Sequence, residues 1–420
     1  MTEIVYSGKF YFEGSFQDLY VTTGDGIITK VEKFQNMKPS IKIEGPILPG
    51  FTDTHVHFRD PGETEKEDFF TGSMSAAFGG TTTVLDMPNN IIPVKDYEQF
   101  DRKKGAIRRR SFVDYGLYSL YDGTNRDIIS RESVGVKIFM GESTNSSTYS
   151  GDYNSDSYLQ EYERPVVFHG EALECLKKHE NGSINTLHDH NMSRPSQCER
   201  EAFETIASLK TKNKIAAHVS DINNLNGLEG KFNGEVTPHH ILLHDGMHLG
   251  AYGKVNPPLR ERNIMDETRQ GFLDGKFQLL SSDHAPHTER DKENVQFGKS
   301  GIIGVETRIP LMLALVQKKI LPLQTLISVG AEKPSEIFNL NKGKIEKGYF
   351  ADFVSIRFSD MTRLNEERLH SKLPISPFNG FDVLFPRDVF IRGECVISSG
   401  EIIEECNGNF IFPTKDQNVS

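Results

Sequence analysis

Between residues 50 and 287, short β-type apolar runs alternate with stretches of helical spacing, and no other feature of the chain restricts its fold as much. Eight such runs occur: GFTDTHVHF (50–58), TTTVLDMP (81–88), SFVDYGLYSL (111–120), VGVKIFMG (134–141), RPVVFHGE (164–171), NKIAAHVS (213–220), GEVTPHHILL (234–243) and GKFQLLSSDHAPH (275–287). Segments between them, such as KEDFFTGSMSAAFGG and SQCEREAFETIASLKTKN, have helical spacing, and the second ends in polar and basic residues suited to a helix C-terminus. Strands separated by helices pair in parallel, so eight strand–helix units predict an α/β fold of the (β/α)8 TIM-barrel type.

The two ends of the chain read differently. EIVYSGKFYF, QDLYVTTGDGIITKVEKF and SIKIEGPIL near the start, and YFADFVSIRF, DVFIRGECVISSGEIIEE and NFIFP near the finish, are strand-like with Gly turns. Residues 1–48 and 345–420 are therefore expected to pair into one small β-sandwich-like domain, leaving 49–344 as the barrel. The tail TKDQNVS is expected to fray.

Composition narrows the class of partner. Charged residues make up 25% of the 420 and the formal net charge is -11, so no general basic field would draw nucleic acid or an anionic membrane. The N-terminal MTEIVYSGKFYFEGSF has early charge and no apolar h-region, and no later stretch offers the roughly twenty apolar residues of a membrane span. Cys175, Cys198, Cys395 and Cys406 form no C-x-x-C pair, and a chain of this length needs no disulfide staple. These features predict a cytoplasmic protein acting on a small molecule, without nucleic acid or membrane partners; nothing in them forbids a homo-oligomer.

The reactive side chains have a common phase. His55 and His57, Asn89, Lys137, His169, His218, His239 and Asp283 fall at or just past the C-terminal ends of seven predicted strands. In a barrel those ends converge on one mouth, where the chemistry sits. Along the first strand, i, i+2 and i+4 share a face, which here carries His55, His57 and Arg59. Taken singly, His169 or His218 reads as a core histidine bonded to backbone, and Arg59 as a surface salt bridge to Asp60 or Glu63. Jointly, four imidazoles and a carboxylate at one rim supply the donors Zn2+ prefers, in excess of what one tetrahedral ion takes. Two ions are implied. Lys137 among them must be neutral or modified, because an ammonium would repel the cations.

These residues lie in motifs of known type. HVHFRDPG (55–62), GGTTTVLDMPNN (79–90), GVKIFMGES (135–143), HGE (169–171), AHVS (217–220), TPHH (237–240), VNPPLR (255–260), SDHAPHT (282–288) and GIIGVET (301–307) resemble, in order and spacing, the amidohydrolase superfamily. Within it they are most similar to the dihydroorotases of the longer-chain bacterial and archaeal class, over about residues 48 to 405, including GKIEKGYFADFVSIRF and SPFNG. The resemblance implies reversible cyclisation of N-carbamoyl-L-aspartate to (S)-dihydroorotate in pyrimidine (UMP) biosynthesis. It also implies two Zn2+ per subunit, with His55, His57 and Asp283 on one and His169 and His218 on the other. Carboxylated Lys137 and a hydroxide would bridge them, and Asp283 would be the catalytic base. The substrate carboxylate would meet Arg59 and Asn89, helped by Asn256 and His287, with Ser300 and Gly301 contributing backbone contacts and His57 adjoining.

The pattern departs from its relatives in the loop GESTNSSTYSGDY (141–153), where several hydroxyls, Ser143 and Thr144 first, compete to cover the substrate. His239 is expected to orient a ligand, and the role of His240 stays open. An allantoinase or hydantoinase is the nearest alternative, disfavoured because those relatives usually lack an arginine at the place of Arg59 paired with an asparagine in MPN. A metal-free scaffold relative would show gaps in the ligand set, and His55, His57, Lys137, His169, His218 and Asp283 leave none.

Overall fold

A computed structural model describes residues 3–413 apart from 36–37, 146, 154, 181 and 404–405. Eight parallel strand positions form a closed barrel. Phe51–Val56, Thr81–Asp86 and Asp114–Leu117 pair in sequence; the third position continues as Ser119–Leu120, followed by Val136–Phe139, Val166–His169, Lys214–Ala216, Asn233–Val236 and Leu279–Leu280. The ring closes where Val56 bridges His284 and His57 N donates to His284 O at 2.7 Å. The strands are short and buried on both faces, as expected where helices cover the outside and side chains fill the inside.

Helix Phe69–Phe78 shows how the outer layer places the site. Asp68 caps it by accepting from Thr71 N at 3.0 Å, and Gly72 lies so near Phe58 that a Cβ would come within 2.6 Å of that ring. Phe58 is thereby packed under the helix, and its neighbours His57 and Arg59 are turned to the barrel mouth. One long buried side chain ties the bottom: Arg308 donates to the carbonyls of Leu280 (2.7 Å) and Thr52 (3.2 Å) and pairs with Asp53 at 3.2 Å.

Both chain ends share an eight-stranded sheet. Its order is Glu401–Ile402, Glu394–Ser398, Asp388–Ile391, Phe353–Ser355, Ile41–Pro49, Ile4–Phe12, Ser15–Gly24 and Ile27–Glu32. Tyr6, Phe10, Phe353 and Phe390 meet edge to face in its core. Strand Ile41–Pro49 leads through Gly50 directly into the first barrel strand.

Four expectations change. The run 234–243 is strand only over Asn233–Val236; Pro238, whose fixed φ suits the first turn, starts helix Pro238–Leu242, so His239 and His240 are helical. The run 275–287 forms only Leu279–Leu280 as strand, since the chain then turns at Asp283, φ 47°, to line the site. NFIFP does not join the terminal sheet: Phe410 bridges Tyr115 on the barrel. Cys175 and Cys198 form a disulfide between helices Leu173–Lys178 and Ser196–Ser208, a pairing their separation of 23 residues does not announce. The TKDQNVS tail lies outside the described residues. No helix among the described residues is long and apolar enough to cross a membrane.

Candidate active site

At the C-terminal mouth of the barrel, His55, His57, Arg59, Asn89, Lys137, His169, His218, Asn256, Asp283, Ser300 and Gly301 line one cavity, together with Ser143 and Thr144 of the 141–153 loop. Of the residues singled out from the sequence for metal or substrate, His287 alone is set back; its Nε2 donates to Ser300 O at 2.9 Å.

Two groups of nitrogen and oxygen donors face each other. Asp283 Oδ1 lies 3.4 Å from His55 Nε2 and 3.2 Å from His57 Nε2, and the ligand atoms of these three residues fall within 4.8 Å of one another. Across the cavity, His169 Nδ1 is 3.0 Å from His218 Nε2. Lys137, on Val136–Phe139, lines the same cavity as both groups; it is 1% exposed, its Nζ without a hydrogen-bond partner among the described residues. Burial lowers its pKa to about 8, against the pull of Glu235 and Asp283. An amine in that state is nucleophilic enough to take up CO2, and the resulting carbamate would be an anionic oxygen ligand.

The protonation states favour a cation. Burial lowers His57 to about 3 and holds His169 and His218 below the ordinary imidazole range, so all three are neutral donors near pH 7. Burial alone would raise the Asp283 carboxyl, yet the surrounding imidazoles keep it well below the usual carboxylate range and ionised.

Three carboxylates that the sequence reading assigned no role shape this set. Glu235 Oε1 lies 2.8 Å from His55 Nδ1. Glu171 Oε2 lies 2.8 Å from His169 Nε2, and Arg194 holds that carboxylate in turn. Each leaves the ring's other nitrogen aimed into the cavity, the arrangement that fixes ligating histidines in metal sites. Glu171 stood in the HGE motif and Glu235 at the end of a strand, so the signal was there; an acid two or more residues from the ligand gave no hint which ring it held. Asp86 Oδ1 accepts from Phe58 N at 2.8 Å, pinning the backbone between His57 and Arg59.

Arg59 is 3% exposed and forms no ion pair among the described residues. Asp60 pairs with Arg110 at 2.9 Å and Glu63 with Lys66, so the salt bridges imagined for Arg59 belong to other cations. Among the described residues its one side-chain hydrogen bond runs from Nε to Pro286 O at 3.3 Å. Arg59, His218 and Asp283 all adopt left-handed backbone, with φ of 61°, 39° and 47°. For side chains other than glycine such values carry strain, which proteins concentrate at working sites. Asn89 accepts from His57 Nδ1 at 2.7 Å and donates to Thr144 O at 2.9 Å, so one amide ties the first strand to the covering loop. Gly301, φ 142°, must be glycine: a Cβ would sit 2.3 Å from Ala285 O.

His240 Nδ1 accepts from Thr237 Oγ1 at 2.9 Å and its Nε2 donates to Pro257 O at 3.1 Å, anchoring the segment that carries Asn256. His239 is buried, and burial lowers it to about 4.

The comparisons agree with this geometry. Residues 47–119 match the model of the amidohydrolase family. The chain is 51% identical over 407 residues to a dihydroorotase of Thermoplasma volcanium, covering 97% of both chains, and 50% identical to that of Thermoplasma acidophilum over 96% and 97%. A dihydroorotase of Methanosarcina acetivorans is 34% identical over 92% and 90%. Among solved structures, an L-hydantoinase (dihydropyrimidinase) from Arthrobacter aurescens superposes with a TM-score of 0.91 at 25% identity, covering 98% of this chain and 100% of its own. The chain belongs to the dihydroorotase family of amidohydrolases.

Proposed function

We propose that the protein interconverts N-carbamoyl-L-aspartate and (S)-dihydroorotate, the ring-closing step of pyrimidine (UMP) biosynthesis. The observation that carries this reading is Arg59: a buried guanidinium that forms no ion pair among the described residues and lines the same cavity as the donor cluster. A planar fork of donors in a desolvated site calls for a planar anion, and the carboxylate on the dihydroorotate ring is one.

The donor set fits two divalent cations, with Zn2+ the ion its nitrogen and oxygen donors suit. His55, His57 and Asp283 would hold one, His169 and His218 the other, and Lys137 as a carbamate would reach both; its buried, orphaned Nζ in the cavity that both groups line supports that role. Bound there, the ions would polarise the scissile carbonyl and acidify a water so that it attacks near neutral pH.

The chain's own groups account for the remaining work. Arg59 and Asn89, with Asn256, grip the ring carboxylate and fix which face of the ring meets the donor cluster. Ser300 and Gly301 offer backbone contacts to the ring amide, and His287 holds the Ser300 carbonyl in place. Asp283 takes the proton of the attacking water and gives it to the leaving ring nitrogen on opening; on closure it takes the proton from the ureido nitrogen and returns it to the departing oxygen. Ser143 or Thr144 would cover the substrate from the loop. Every named residue comes from one chain, so the reading needs no second subunit. It also carries a cytoplasmic setting and the two-part division, 1–48 with 345–420 and 49–344, with the NFIFP segment of the first part laid against the barrel.

The test is direct. Ring closure of N-carbamoyl-L-aspartate should be measured at mildly acidic pH and ring opening of dihydroorotate at alkaline pH, with hydantoin and allantoin in parallel. Turnover of dihydroorotate in both directions supports the reading; preference for hydantoin or allantoin would replace it with the neighbouring activities, and metal-free inactivity toward all would favour a scaffold.

A further inference from the structure

The proposed chemistry leaves the buried imidazole of His190 without a task. His190, on helix Leu187–Ser193, is 5% exposed and packs behind Asn256 rather than against the donor cluster. Its Nε2 is 2.9 Å from Val255 O and 3.0 Å from Asn256 Oδ1. Its Nδ1 is buried with no hydrogen-bond partner among the described residues, so the hydrogen bonding of the ring goes wholly to this one dipeptide.

A chain of simple exclusions follows from the Val255 contact. A carbonyl oxygen only accepts, so Nε2 of His190 carries the proton. The atom of Asn256 that faces the same N–H must then be its amide oxygen. Ser300 Oγ donates to that oxygen as well, at 3.1 Å. With Oδ1 held by two donors, the amide nitrogen is the end of the side chain left to meet a ligand in the cavity that Asn256 lines. Orientation decides the sign of the contact: an amide nitrogen attracts a carboxylate, and an amide oxygen repels it. Burial, reinforced by the charge of Arg194, lowers the pKa of His190 to about 4, so the ring stays neutral with a single N–H near pH 7.

We infer that His190 is a positioning residue that makes the site selective for a carboxylate-bearing ring by locking Asn256 with its N–H groups toward the substrate. The inference rests on the reading of Asn256 as a contact to the substrate carboxylate. Flipping the amide would forfeit the His190 hydrogen bond, since Ser300 Oγ can accept as well as donate, and would set the amide oxygen against an anion.

The experiment is a double-mutant cycle on the metal-loaded enzyme, following ring opening of dihydroorotate, with metal content recorded for every variant. His190→Phe should raise KM about 10- to 100-fold with kcat within about threefold, the signature of lost uniform binding to a charged group. His190→Gln, which can bring an N–H near the Nε2 position, should recover most of that loss. In an Asn256→Ala background, His190→Phe should change KM less than about twofold, because its effect passes through Asn256. Should the phenylalanine variant fail to fold, His190→Asn, too short to reach Asn256, takes its place with the same expectations. An unchanged KM in the single His190 variant, equal losses in kcat and kcat/KM, or effects that multiply in the double variant would overturn the inference while leaving Asn256 a substrate contact. An unchanged KM in Asn256→Ala would overturn the Asn256 reading and the inference together.

Discussion

Glu171 and Arg194 are joined by two hydrogen bonds, from Nε to Oε1 at 3.0 Å and from a terminal guanidinium nitrogen to Oε2 at 2.5 Å, while the same Oε2 holds His169. The carboxylate is buried, and the guanidinium is only partly exposed. Arg194 fixes the carboxylate, the carboxylate fixes the imidazole, and the imidazole presents Nδ1 to the cavity. Arg194 sits at the end of the helix that also carries His190, so one short element supports both sides of the site.

This relay predicts that Glu171→Gln weakens metal binding at the His169–His218 position by about 10- to 100-fold, since partners of ligating histidines contribute on that scale. The metal retained after dialysis against a graded chelator series measures it. Unchanged retention would show that His169 needs no support from Glu171.

Arg59→Met should leave metal content intact and lower kcat/KM for dihydroorotate by about 30-fold to several thousandfold, corresponding to roughly 2–5 kcal/mol for losing one partner of a desolvated charge pair. Arg59→Lys should recover part of this, keeping the charge and losing the fork. Kinetics alongside metal analysis separate the two functions. Near wild-type efficiency in Arg59→Met would place the carboxylate clamp elsewhere.

Lys137→Ala should lower bound metal and activity together, and a short carboxylic acid added at millimolar concentration should restore part of both by filling the space of the carbamate. Elemental analysis with and without the acid gives the answer. Full metal content in the alanine variant would contradict a bridging role.

The buried His190 also predicts a pH dependence of stability. Its folded pKa is about 4 against an ordinary 6.5. Between those values the unfolded chain binds a proton that the folded chain does not, so stability falls as pH is lowered from 6.5 to 4 and is unaffected by this group above that window. The contribution is at most about 3 kcal/mol. His190→Gln should therefore show a smaller loss of unfolding free energy between pH 6.5 and 4 than the wild type, measured by urea titration at both. Parallel losses in the two proteins would mean that His190 titrates freely in the fold.

Much of this was legible along the chain, and the exceptions have physical reasons. The alternation of His55, His57 and Arg59 on one strand face is a two-residue period, and period is what sequence displays best. The last strand was overextended because its apolar run ends in residues that line the site: His284 closes the barrel by a single bridge while Asp283 beside it turns into left-handed backbone. TPHH looked like strand because Thr237 and the following isoleucine suit one, and Pro238 overrode them. Glu235, Glu171 and His190 act through other side chains, and such a role depends on contacts 23 to 180 residues away or on a neighbour's tautomer, which no spacing encodes. The Cys175–Cys198 pair is of the same kind: helix packing creates it.

The central claim is that the site opens a cyclic amide bearing a carboxylate, within a fold shared with enzymes named for rings such as hydantoin. The most direct measurement compares kcat/KM of the metal-loaded wild-type enzyme for dihydroorotate and for dihydrouracil, the same ring without the carboxylate. The account predicts a preference for dihydroorotate of at least about a hundredfold, and that Arg59→Met shrinks the ratio by lowering the dihydroorotate value alone. Comparable efficiencies, or a preference for dihydrouracil, would contradict it.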